Sequence, residues 1–587
     1  MITPSKQEWS RALSLHGSLG RALAVALLCL LPLGCGKPDP GLVTAFPEPP
    51  PAPTVDASRP NILLILVDDL GFTDLGFTGS EIRTPNIDAL AAQGTFLSGL
   101  HATPTCSPTR AALMSGVEPH LAGLGTMAHG VQPNQKGLPG YEGYLNDRVV
   151  SIPTLLRDAG YNTAMAGKWH LGAGPGQMPG ARGFQRSFSM MPGGASHFAD
   201  AAGLTVFERK VTYFEDDQPV SLPADFFSTT FYTDKMIAYL QQMQGSDRPF
   251  FGYVAYTAPH WPLQAPDDYR DRYRGQYDEG YEALRQQRIA AARARGLFPQ
   301  DAPVADLPAF IPSWDTLEAD DRQRSARSME IYAAMVEQLD AQIGRLLDAL
   351  RATGQYDNTL IVFTSDNGPE GNDIGQLVLN RFWLPLAFDN SLENMGRENS
   401  YVWYDAGWAS ASAGPFHLYK SFTADGGIRV PTVLKLPASV SGSMQADQRF
   451  TMMDLAATLL DVAGVEHPGQ QYRGKQVLPL SGRSQWPLWN GSASPGETAA
   501  LVMELFGRRM VKLGDFKAVY VPPPFGAGRW QLYDAVQDPG EVHDIAAQHP
   551  QVMQQVQQQW QQYVADNGVI LPEGDGAYVV PPATATR

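Results

Sequence analysis

Several short apolar runs in this chain are typical of buried parallel strands, and polar residues follow each of them directly. The runs are 61–67, 161–167, 250–257 and 359–364. Continuous apolar runs of this length are typical of strands that are covered on both faces of a sheet. Apolar residues then recur at helical spacing from Tyr332 to Leu350, and Gly354 is a typical helix stop. Strands that alternate with helices predict an α/β fold, with a large mixed, mostly parallel sheet sandwiched between helices.

The pattern changes after about residue 465, where shorter strands and one helix are predicted. These elements are strands at Arg509–Leu513, Phe516–Val521 and Trp530–Asp534, and a final helix with Val552, Val556, Tyr563 and Val564 on one side. We expect a large domain over 60–464 and a small α+β domain, built on a short antiparallel sheet, over 465–587. The charged stretch Pro266–Arg327 is predicted to form surface helices and loops.

The first 35 residues are typical of a secretory signal. Basic residues precede an apolar run at 22–33, which is too short to span a bilayer. The sequence Leu-Pro-Leu-Gly-Cys35 resembles a bacterial lipoprotein cleavage box, which would place a lipid and a membrane attachment on Cys35; plain cleavage near Gly34 is the alternative. The Pro-rich linker 36–59 would then form an extended tether. We expect an exported bacterial protein, either periplasmic or anchored to the outer membrane.

Charge and cysteine content limit the function further. The formal net charge of −16, from 44 basic and 60 acidic residues, argues against a nucleic-acid-binding protein. The chain has 3 cysteines, and Cys29 and Cys35 lie in the signal. Cys106 is left without a partner for an internal disulfide, so we expect it to have a chemical role; an inert buried thiol is the alternative.

Four oxygen-bearing side chains follow two of the predicted strands. Asp68 and Asp69 come directly after the first run, and Asp366 and Asn367 follow the fourth. Open α/β sheets form their ligand crevice at the carboxyl ends of the strands, so these side chains are expected to meet. Three carboxylates would repel one another without a cation, and oxygen ligands suit Ca²⁺ or Mg²⁺. Ordinary turns at the strand ends are the alternative.

Cationic and titratable side chains are predicted at the same edge. Lys168 and His170 are two residues apart at a strand end, which places both on one face. Lys168 could hold an oxyanion, and His170 and His260 could exchange protons near neutral pH. Lys420 could add a cation at a loop rim. For each of them, a solvated or purely structural side chain is the alternative. His101, His120, His129 and His417 have no matching partners and are assigned no role.

Cys106 lies at the predicted start of a helix. Pro108 suits a first helical position, and Arg110 to Ser115 continue the helix. Backbone N–H groups at a helix N-terminus attract anions, and Arg110 adds a permanent positive charge.

Cys106-Ser-Pro-Thr-Arg110, followed by Leu-Met-Ser-Gly116, resembles the sulfatase signature Cys-x-Pro-x-Arg with its downstream Leu-x-x-Gly element. The resemblance extends to the segments that contain Asp68-Asp69, Lys168-Trp-His170, Ala-Pro-His260, Ser-Asp366-Asn367-Gly, Tyr-Lys420 and Leu-Tyr533-Asp, and it covers about residues 60 to 565. The segments that begin at Asn390 and Tyr401 resemble bacterial arylsulfatases in particular.

This resemblance implies a reaction and a cofactor. In the family, a formylglycine-generating enzyme oxidises the cysteine to Cα-formylglycine. The implied activity is hydrolysis of aryl sulfates to a phenol and inorganic sulfate, with a formylglycine hydrate as nucleophile and a sulfo-enzyme intermediate. The implied metal is Ca²⁺, with Mg²⁺ as the second choice, and its ligands are Asp68, Asp69, modified Cys106, Asp366 and Asn367.

The resemblance also implies roles for the remaining side chains. Arg110 and Lys168 steady the hydrate, His170 is the base for collapse of the intermediate, and His260 and Lys420 bind sulfate and assist the leaving oxygen. We expect a monomer that acts on a small sulfate ester. Two alternatives remain: a phosphonate monoester or phosphodiester hydrolase of the same alkaline phosphatase superfamily, and a non-catalytic lipoprotein that binds sulfated glycans.

Overall fold

The computed structural model describes residues 59–440, 444, 447–494 and 499–574. The predicted signal at 1–35 and the linker up to residue 58 lie outside these described residues. Within them, no helix is long and apolar enough to cross a bilayer.

The strands are, in chain order, Asn61–Val67 (β1), Thr95–Leu97 (β2), Leu100–His101 (β3), Asn162–Lys168 (β4), Arg186–Met190 (β5), Ala202–Thr205 (β6), Glu208–Lys210 (β7), Tyr213–Glu215 (β8), Gln218–Val220 (β9), Phe250–Ala255 (β10), Thr359–Ser365 (β11), Thr432–Lys435 (β12), Phe450–Thr451 (β13), Gln471–Tyr472 (β14), Lys475–Gln476 (β15), Leu501–Leu505 (β16), Arg508–Leu513 (β17), Phe516–Tyr520 (β18) and Trp530–Asp534 (β19).

The α-helices are, in chain order, Pro85–Gln93 (α1), Cys106–Ser115 (α2), Pro119–Ala122 (α3), Ile152–Asp158 (α4), Ser228–Met243 (α5), Asp267–Arg270 (α6), Gly280–Ala294 (α7), Ala319–Ala352 (α8), Val378–Ala387 (α9), Ala406–Ala413 (α10), Asp425–Ile428 (α11), Met452–Val462 (α12), Trp486–Trp489 (α13) and Pro550–Asn567 (α14).

The main sheet is mixed and mostly parallel, as the sequence predicts. Its strand order is β2-β12-β11-β1-β10-β4-β5-β8-β9. The five central strands, from β11 to β5, run parallel to one another. Towards both edges, β12 and β2 on one side and β8 and β9 on the other pair antiparallel. The predicted α/β fold is therefore confirmed.

Both faces of this sheet are covered by helices. Along β1, Leu63, Ile65 and Val67 belong to an apolar cluster with side chains of α5 and α8. The alternate residues of β1 belong to a second cluster with side chains of α2, α4 and α12. Burial on both faces explains why the central strands are continuously apolar.

The boundaries of the predicted central strands differ from the structure by at most two residues, whereas helix α8 begins at Ala319, well before the predicted start at Tyr332. The first strand is found at its predicted residues, whereas β4 begins and ends one residue later, so that Lys168 is its last residue. Helix α2 begins at Cys106 after an extended Thr105, which places Pro108 at the third helical position and not the first. The first turn of a helix has unpaired N–H groups in any case, so proline is tolerated there.

The charged stretch Pro266–Arg327 is predicted to lie at the surface, and this prediction is wrong for four of its arginines, because Arg270, Arg285, Arg288 and Arg327 are buried. Arg288 and Arg327 are fully buried. Arg288 forms ion pairs with Asp74 and Glu81, and Arg327 is paired with acidic neighbours. Buried charges are retained because each of them has a partner of opposite sign.

The small antiparallel sheet near the C-terminus is also confirmed. Its order is β16-β17-β18-β19, and its first strand, Leu501–Leu505, was not predicted. Val556 and Trp560 of α14 pack against this sheet, and Val552, Tyr563 and Val564 join the same apolar cluster. The expected domain boundary near residue 465 stays a prediction.

Candidate active site at the carboxyl edge of the main sheet

The acidic side chains that were predicted to converge lie together. The strands β1 and β11 pair in register, with Val67 opposite Ser365, so the residues that follow them are neighbours. Oxygen atoms of Asp68, Asp69 and Asp366, together with Cys106 Sγ, all lie within 4.8 Å of one another. All four side chains are buried. The parallel arrangement of the two strands thus creates a dense cluster of carboxylates beside the cysteine.

Two oxygen atoms in this cluster are oriented for a ligand. Asp366 Oδ1 and Asn367 Oδ1 are buried and receive no hydrogen bond from the residues that the structure describes. Asn367 Nδ2 donates to Asp69 Oδ1 at 2.7 Å, which turns the amide oxygen the other way. A buried oxygen without a donor is costly unless a cation binds it. The donor set therefore fits a divalent cation that prefers oxygen ligands.

Each carboxylate has its own cationic partner. Lys168 Nζ lies 2.5 Å from Asp68 Oδ2. Arg110 donates through Nε to Asp366 Oδ2 at 3.0 Å, and Lys420 Nζ lies 2.8 Å from Asp69 Oδ1. Arg110 Nη1 also donates to the backbone oxygen of Lys168 at 2.8 Å. The three predicted cations are thus all brought to the cluster.

The pKa values of the acids reflect these contacts. Burial would raise the pKa of Asp68, but the charges of Lys168 and Arg110 outweigh burial and hold this pKa well below its usual range. Burial raises the pKa of Asp69 to about 8. Lys420 acts in the opposite direction, but the negative charges of the neighbouring carboxylates counteract its effect. The two aspartates at this strand end therefore differ in their affinity for protons.

Unmodified Cys106 is not an activated nucleophile. Burial, reinforced by Asp366 and Asp68, raises the pKa of its thiol well above the usual value. The thiol donates a hydrogen bond to Asp68 Oδ1 at 3.4 Å. A thiolate is the reactive form of cysteine, so the unmodified side chain is chemically quiet in this environment.

The two predicted histidines flank the cluster as neutral imidazoles. Burial lowers the pKa of His170 and of His260 well below the usual value. His260 Nδ1 lies 2.5 Å from the backbone oxygen of Trp261, and its Nε2 lies 3.6 Å from Asp69 Oδ2. Strand β4 ends at Lys168, and His170 has φ 56°, so the regular alternation of a strand does not set the direction of its side chain.

Comparison with known proteins identifies the family of this site. The sulfatase family model matches residues 60–465. This chain belongs to the sulfatase family. It is 41% identical over 533 residues to an uncharacterised sulfatase of Schizosaccharomyces pombe, which covers 89% of this chain and 96% of that protein. It is 39% identical over 429 residues to the arylsulfatase of Klebsiella aerogenes, which covers 73% of this chain and 91% of that protein.

A solved structure supports the fold of the sulfatase over nearly its whole length. The structure of Ps i-CgsB in complex with k-i-k-neocarrahexaose aligns with a TM-score of 0.61 and 26% sequence identity. The alignment covers 88% of this chain and 95% of that chain. Sulfatases generally use formylglycine and a divalent metal, and the cluster around Cys106 has the residues for both.

Sequence reasoning missed several residues that contact the site of this sulfatase. Glu370 is buried, and its Oε2 lies 3.1 Å from Lys420 Nζ. A Cβ atom added to Gly193 would lie 3.0 Å from the His170 ring, and one added to Gly194 would lie 3.3 Å from the His260 ring. Two signals in the sequence could have identified these residues. Glu370 is an acid close after the Asp366-Asn367 pair, and Gly193 and Gly194 form a Gly-Gly pair.

A buried network behind the cluster positions Asp69. Asp69 has φ 67°, which is uncommon for a residue other than glycine. Tyr332 of α8 donates to Asp74 Oδ2 at 2.6 Å and lies 3.4 Å from the backbone oxygen of Asp69. Arg288 of α7 is paired with the other oxygen of Asp74 at 2.5 Å. Helices α7 and α8 therefore hold the turn that presents Asp69.

The small sheet of the sulfatase holds the segment that follows Lys420. Arg508 of β17 donates to the backbone oxygen of Ser421, and Lys517 of β18 is paired with Asp425. Lys517 also lies 2.5 Å from Glu541. Side chains of the C-terminal sheet thus contribute indirectly to the position of Lys420.

Proposed function

We propose that this sulfatase hydrolyses aryl sulfates to a phenol and inorganic sulfate, with formylglycine at position 106 and a bound Ca²⁺. The observation that carries the proposal is the buried carboxylate cluster beside Cys106, with two oxygen atoms that no described donor reaches. The similarity to the Klebsiella aerogenes arylsulfatase favours aryl substrates.

Asp68, Asp69, Asp366 and Asn367 would hold the cation, together with the oxygen that replaces the sulfur of Cys106. Ca²⁺ accepts six to eight oxygen ligands in flexible geometry, which suits carboxylates from two adjacent strand ends. With both groups present, the hydrated aldehyde supplies an oxygen nucleophile with a second hydroxyl, and the cation polarises the sulfate oxygens.

The protein side chains orient the reactants and move protons. Arg110 and Lys168 surround position 106 with positive charge and fix the ligands Asp366 and Asp68. His170 is neutral, so it can accept a proton from a hydroxyl at position 106. His260 and Lys420 border Asp69 and stabilise the sulfate and its leaving oxygen. A phenol, with a pKa of about 10 like tyrosine, needs less help from an acid than an alkyl alcohol.

The decisive experiment compares turnover of 4-nitrophenyl sulfate with that of a phenyl phosphonate ester, in wild-type protein and in Cys106→Ala. We expect faster turnover of the sulfate, no turnover by Cys106→Ala, and an aldehyde mass for the wild-type peptide that contains residue 106. Faster turnover of the phosphonate would assign a phosphonate hydrolase. An unmodified thiol without turnover, combined with binding of sulfated glycans, would favour the non-catalytic alternative.

We also propose that the chain is exported and lipid-modified at Cys35, on the basis of the N-terminal sequence. Cell fractionation should then find the protein with membranes, and Cys35→Ser should release it in soluble form. Wild-type protein that is soluble in the periplasm would favour plain signal cleavage.

A further inference from the structure

Exposed large apolar side chains are concentrated on two elements of the sulfatase. Seven such residues occur in the part of the chain that the structure describes, and four of them lie on α9 and on the β6–β7 hairpin. Leu379, Phe382 and Leu386 share one face of α9 and are 52%, 71% and 88% exposed. Phe207, at the tip of the hairpin, is 85% exposed. We refer to these four residues as the apolar rim.

Both elements are attached to one tyrosine beside the site. The hydroxyl of Tyr401 donates to the backbone oxygen of Leu204 in β6 at 2.8 Å. The ring of Tyr401 lies 5.8 Å from the ring of Trp383 in α9 and 5.9 Å from the ring of Trp261. Trp261 directly follows His260 and packs against its ring.

Leu204 provides a second connection to His260. A Cβ atom added to Gly194 would lie 3.0 Å from Leu204 Cδ1 and 3.3 Å from the His260 ring, so both side chains border the same glycine. The apolar elements are therefore continuous with the histidine that faces the leaving oxygen in the proposed reaction. Clusters of exposed apolar side chains mark binding surfaces in soluble proteins.

We propose that the apolar rim binds the alcohol portion of the sulfate ester, and that the substrate class is sulfates of hydrophobic alcohols larger than one phenyl ring, such as alkyl-substituted phenols. This inference rests on the proposed sulfate ester hydrolysis. Arg110, Lys168 and Lys420 provide positive charge at one end of the site, and the rim provides apolar surface beyond His260. This arrangement matches an amphiphile, which carries one anionic group and an apolar body.

Two observations favour the alcohol portion of a sulfate ester as the group that the apolar rim binds: the rim is continuous with the site, and the protein has a negative net charge. The formal net charge of −16 disfavours polysulfated chains, because a polyanion would be repelled over a long surface. A single sulfate on an apolar body needs only the local cations. Contact of the rim with a second copy of the chain or with a lipid surface would be a different outcome, and the test below separates them.

The test is a series of 4-alkylphenyl sulfates, from methyl to hexyl, used below their micelle-forming concentrations. Burial of each methylene is worth about 0.8 kcal/mol, so kcat/KM should rise about two- to four-fold for each added carbon in the wild-type protein. This increase in kcat/KM with alkyl length should be largely lost in the double variant Phe382→Ser and Leu386→Ser, and it should be reduced in the single variant Phe207→Ser. Val536→Ser, at a residue that is 50% exposed on the small sheet side, is the matched control and should keep the wild-type slope.

Sulfate ester hydrolysis and binding of the alcohol by the apolar rim can be refuted independently of each other. If the wild-type protein does not hydrolyse 4-nitrophenyl sulfate, the proposed function is wrong. If it does, but kcat/KM is independent of alkyl length or rises equally in the rim variants, only the present inference is overturned. Two further results would overturn it if the dependence of kcat/KM on alkyl length is the same in the rim variants and in the wild type. A changed molar mass of the variants in light scattering would assign the rim to contact with a second copy of the chain. Loss of the variants' sedimentation with phosphatidylethanolamine/phosphatidylglycerol vesicles would assign the rim to a lipid surface.

Discussion

Raising the pH above the pKa of one buried histidine should weaken the attachment of the small sheet. His120 Nδ1 lies 3.0 Å from Glu118 Oε1, and its Nε2 lies 3.2 Å from Glu504 Oε2 on β16. Tyr563 of α14 donates to Glu118 at 2.6 Å, and the ring of Tyr141 packs against the imidazole. A buried imidazolium thus lies between two carboxylates. Through Glu504 and Tyr563, this group of side chains links α3 to strand β16 of the small sheet and to helix α14.

The expected magnitude follows from the pKa of this histidine. Burial alone would lower it, but Glu118 and Glu504 outweigh burial and raise the pKa of His120 to about 10, from an ordinary value of 6.5. At 1.36 kcal/mol per pH unit, this difference corresponds to about 5 kcal/mol of unfolding free energy. Because the folded-state pKa is the higher one, the stabilisation is complete below pH 6.5 and is lost as the pH rises through about 10. The pKa of Glu118 is lowered, so its own contribution is lost only in acid and does not interfere.

Urea unfolding between pH 6 and 10.5, followed by circular dichroism, measures this effect in the wild-type protein and in Glu504→Gln. The glutamine keeps the shape of the side chain but removes one of the two carboxylates, so we expect lower stability at neutral pH and a shallower decline at higher pH. Glu573→Gln, at an exposed carboxylate, is the control for the loss of one negative charge. Parallel pH–stability curves for wild type and Glu504→Gln would refute the reasoning.

Three further predictions address the metal site and the small sheet. Chelation should abolish turnover until Ca²⁺ is restored, and Asp366→Ala should be inactive with or without Ca²⁺ and show no thermal shift with it. Tyr332→Phe removes the hydroxyl that holds Asp74, and calorimetry should show Ca²⁺ binding weakened about tenfold or more, whereas unchanged affinity would exclude a positioning role. Lys517→Met removes the cation that the buried carboxylates of Asp425 and Glu541 share, and it should lower the urea-measured stability by about 3–5 kcal/mol, while the exposed Lys475→Met should not.

The local pattern of the sequence was sufficient for the central sheet and insufficient for its edges. A continuous apolar run places β1 at its observed residues, and helical periodicity identifies most of α8. The strand at Leu501–Leu505 was missed because a run of five residues that contains a glutamate has no clear two-residue alternation. Helix α2 starts earlier than predicted because its first turn tolerates Pro108, so proline marks the beginning of a helix only to within a few positions.

The composition of the site cluster was predictable because parallel strand ends share one edge of a sheet. Its supporting residues were not, since each depends on a partner that is distant in the chain. Arg288 is separated from Asp74 by 214 residues and lies in a stretch whose charge suggests a solvated surface. Nothing local to Arg288 or to Lys517 distinguishes a buried ion-paired side chain from an exposed one.

The charges of the described side chains favour esters with a single negative charge. Four buried carboxylates face three buried cations; they are Asp68, Asp69, Asp366 and Glu370 on one side, and Arg110, Lys168 and Lys420 on the other. Without a metal and with all seven groups ionised, this set has a net charge of −1, and the excess of carboxylates adds to burial in raising the pKa of Asp69 to about 8. A divalent cation changes the sum to +1. A sulfate monoester, with one negative charge, then brings it to zero, whereas a phosphate monoester dianion leaves an excess negative charge.

Glu370 therefore offers a way to alter this selectivity. Replacing Glu370 with glutamine removes one negative charge next to Lys420 while preserving the size of the side chain. With an effective dielectric constant of about 20, removing one negative charge from the site changes its interaction energy with the second negative charge of a phosphate dianion by on the order of 1–3 kcal/mol. Glu370→Gln should accordingly raise kcat/KM for 4-nitrophenyl phosphate relative to 4-nitrophenyl sulfate by about tenfold or more, measured at a pH where the phosphate is a dianion. Glu370→Asp keeps the charge and should keep the wild-type ratio. An equal ratio in all three proteins would mean that shape, rather than net charge, excludes the dianion from this site.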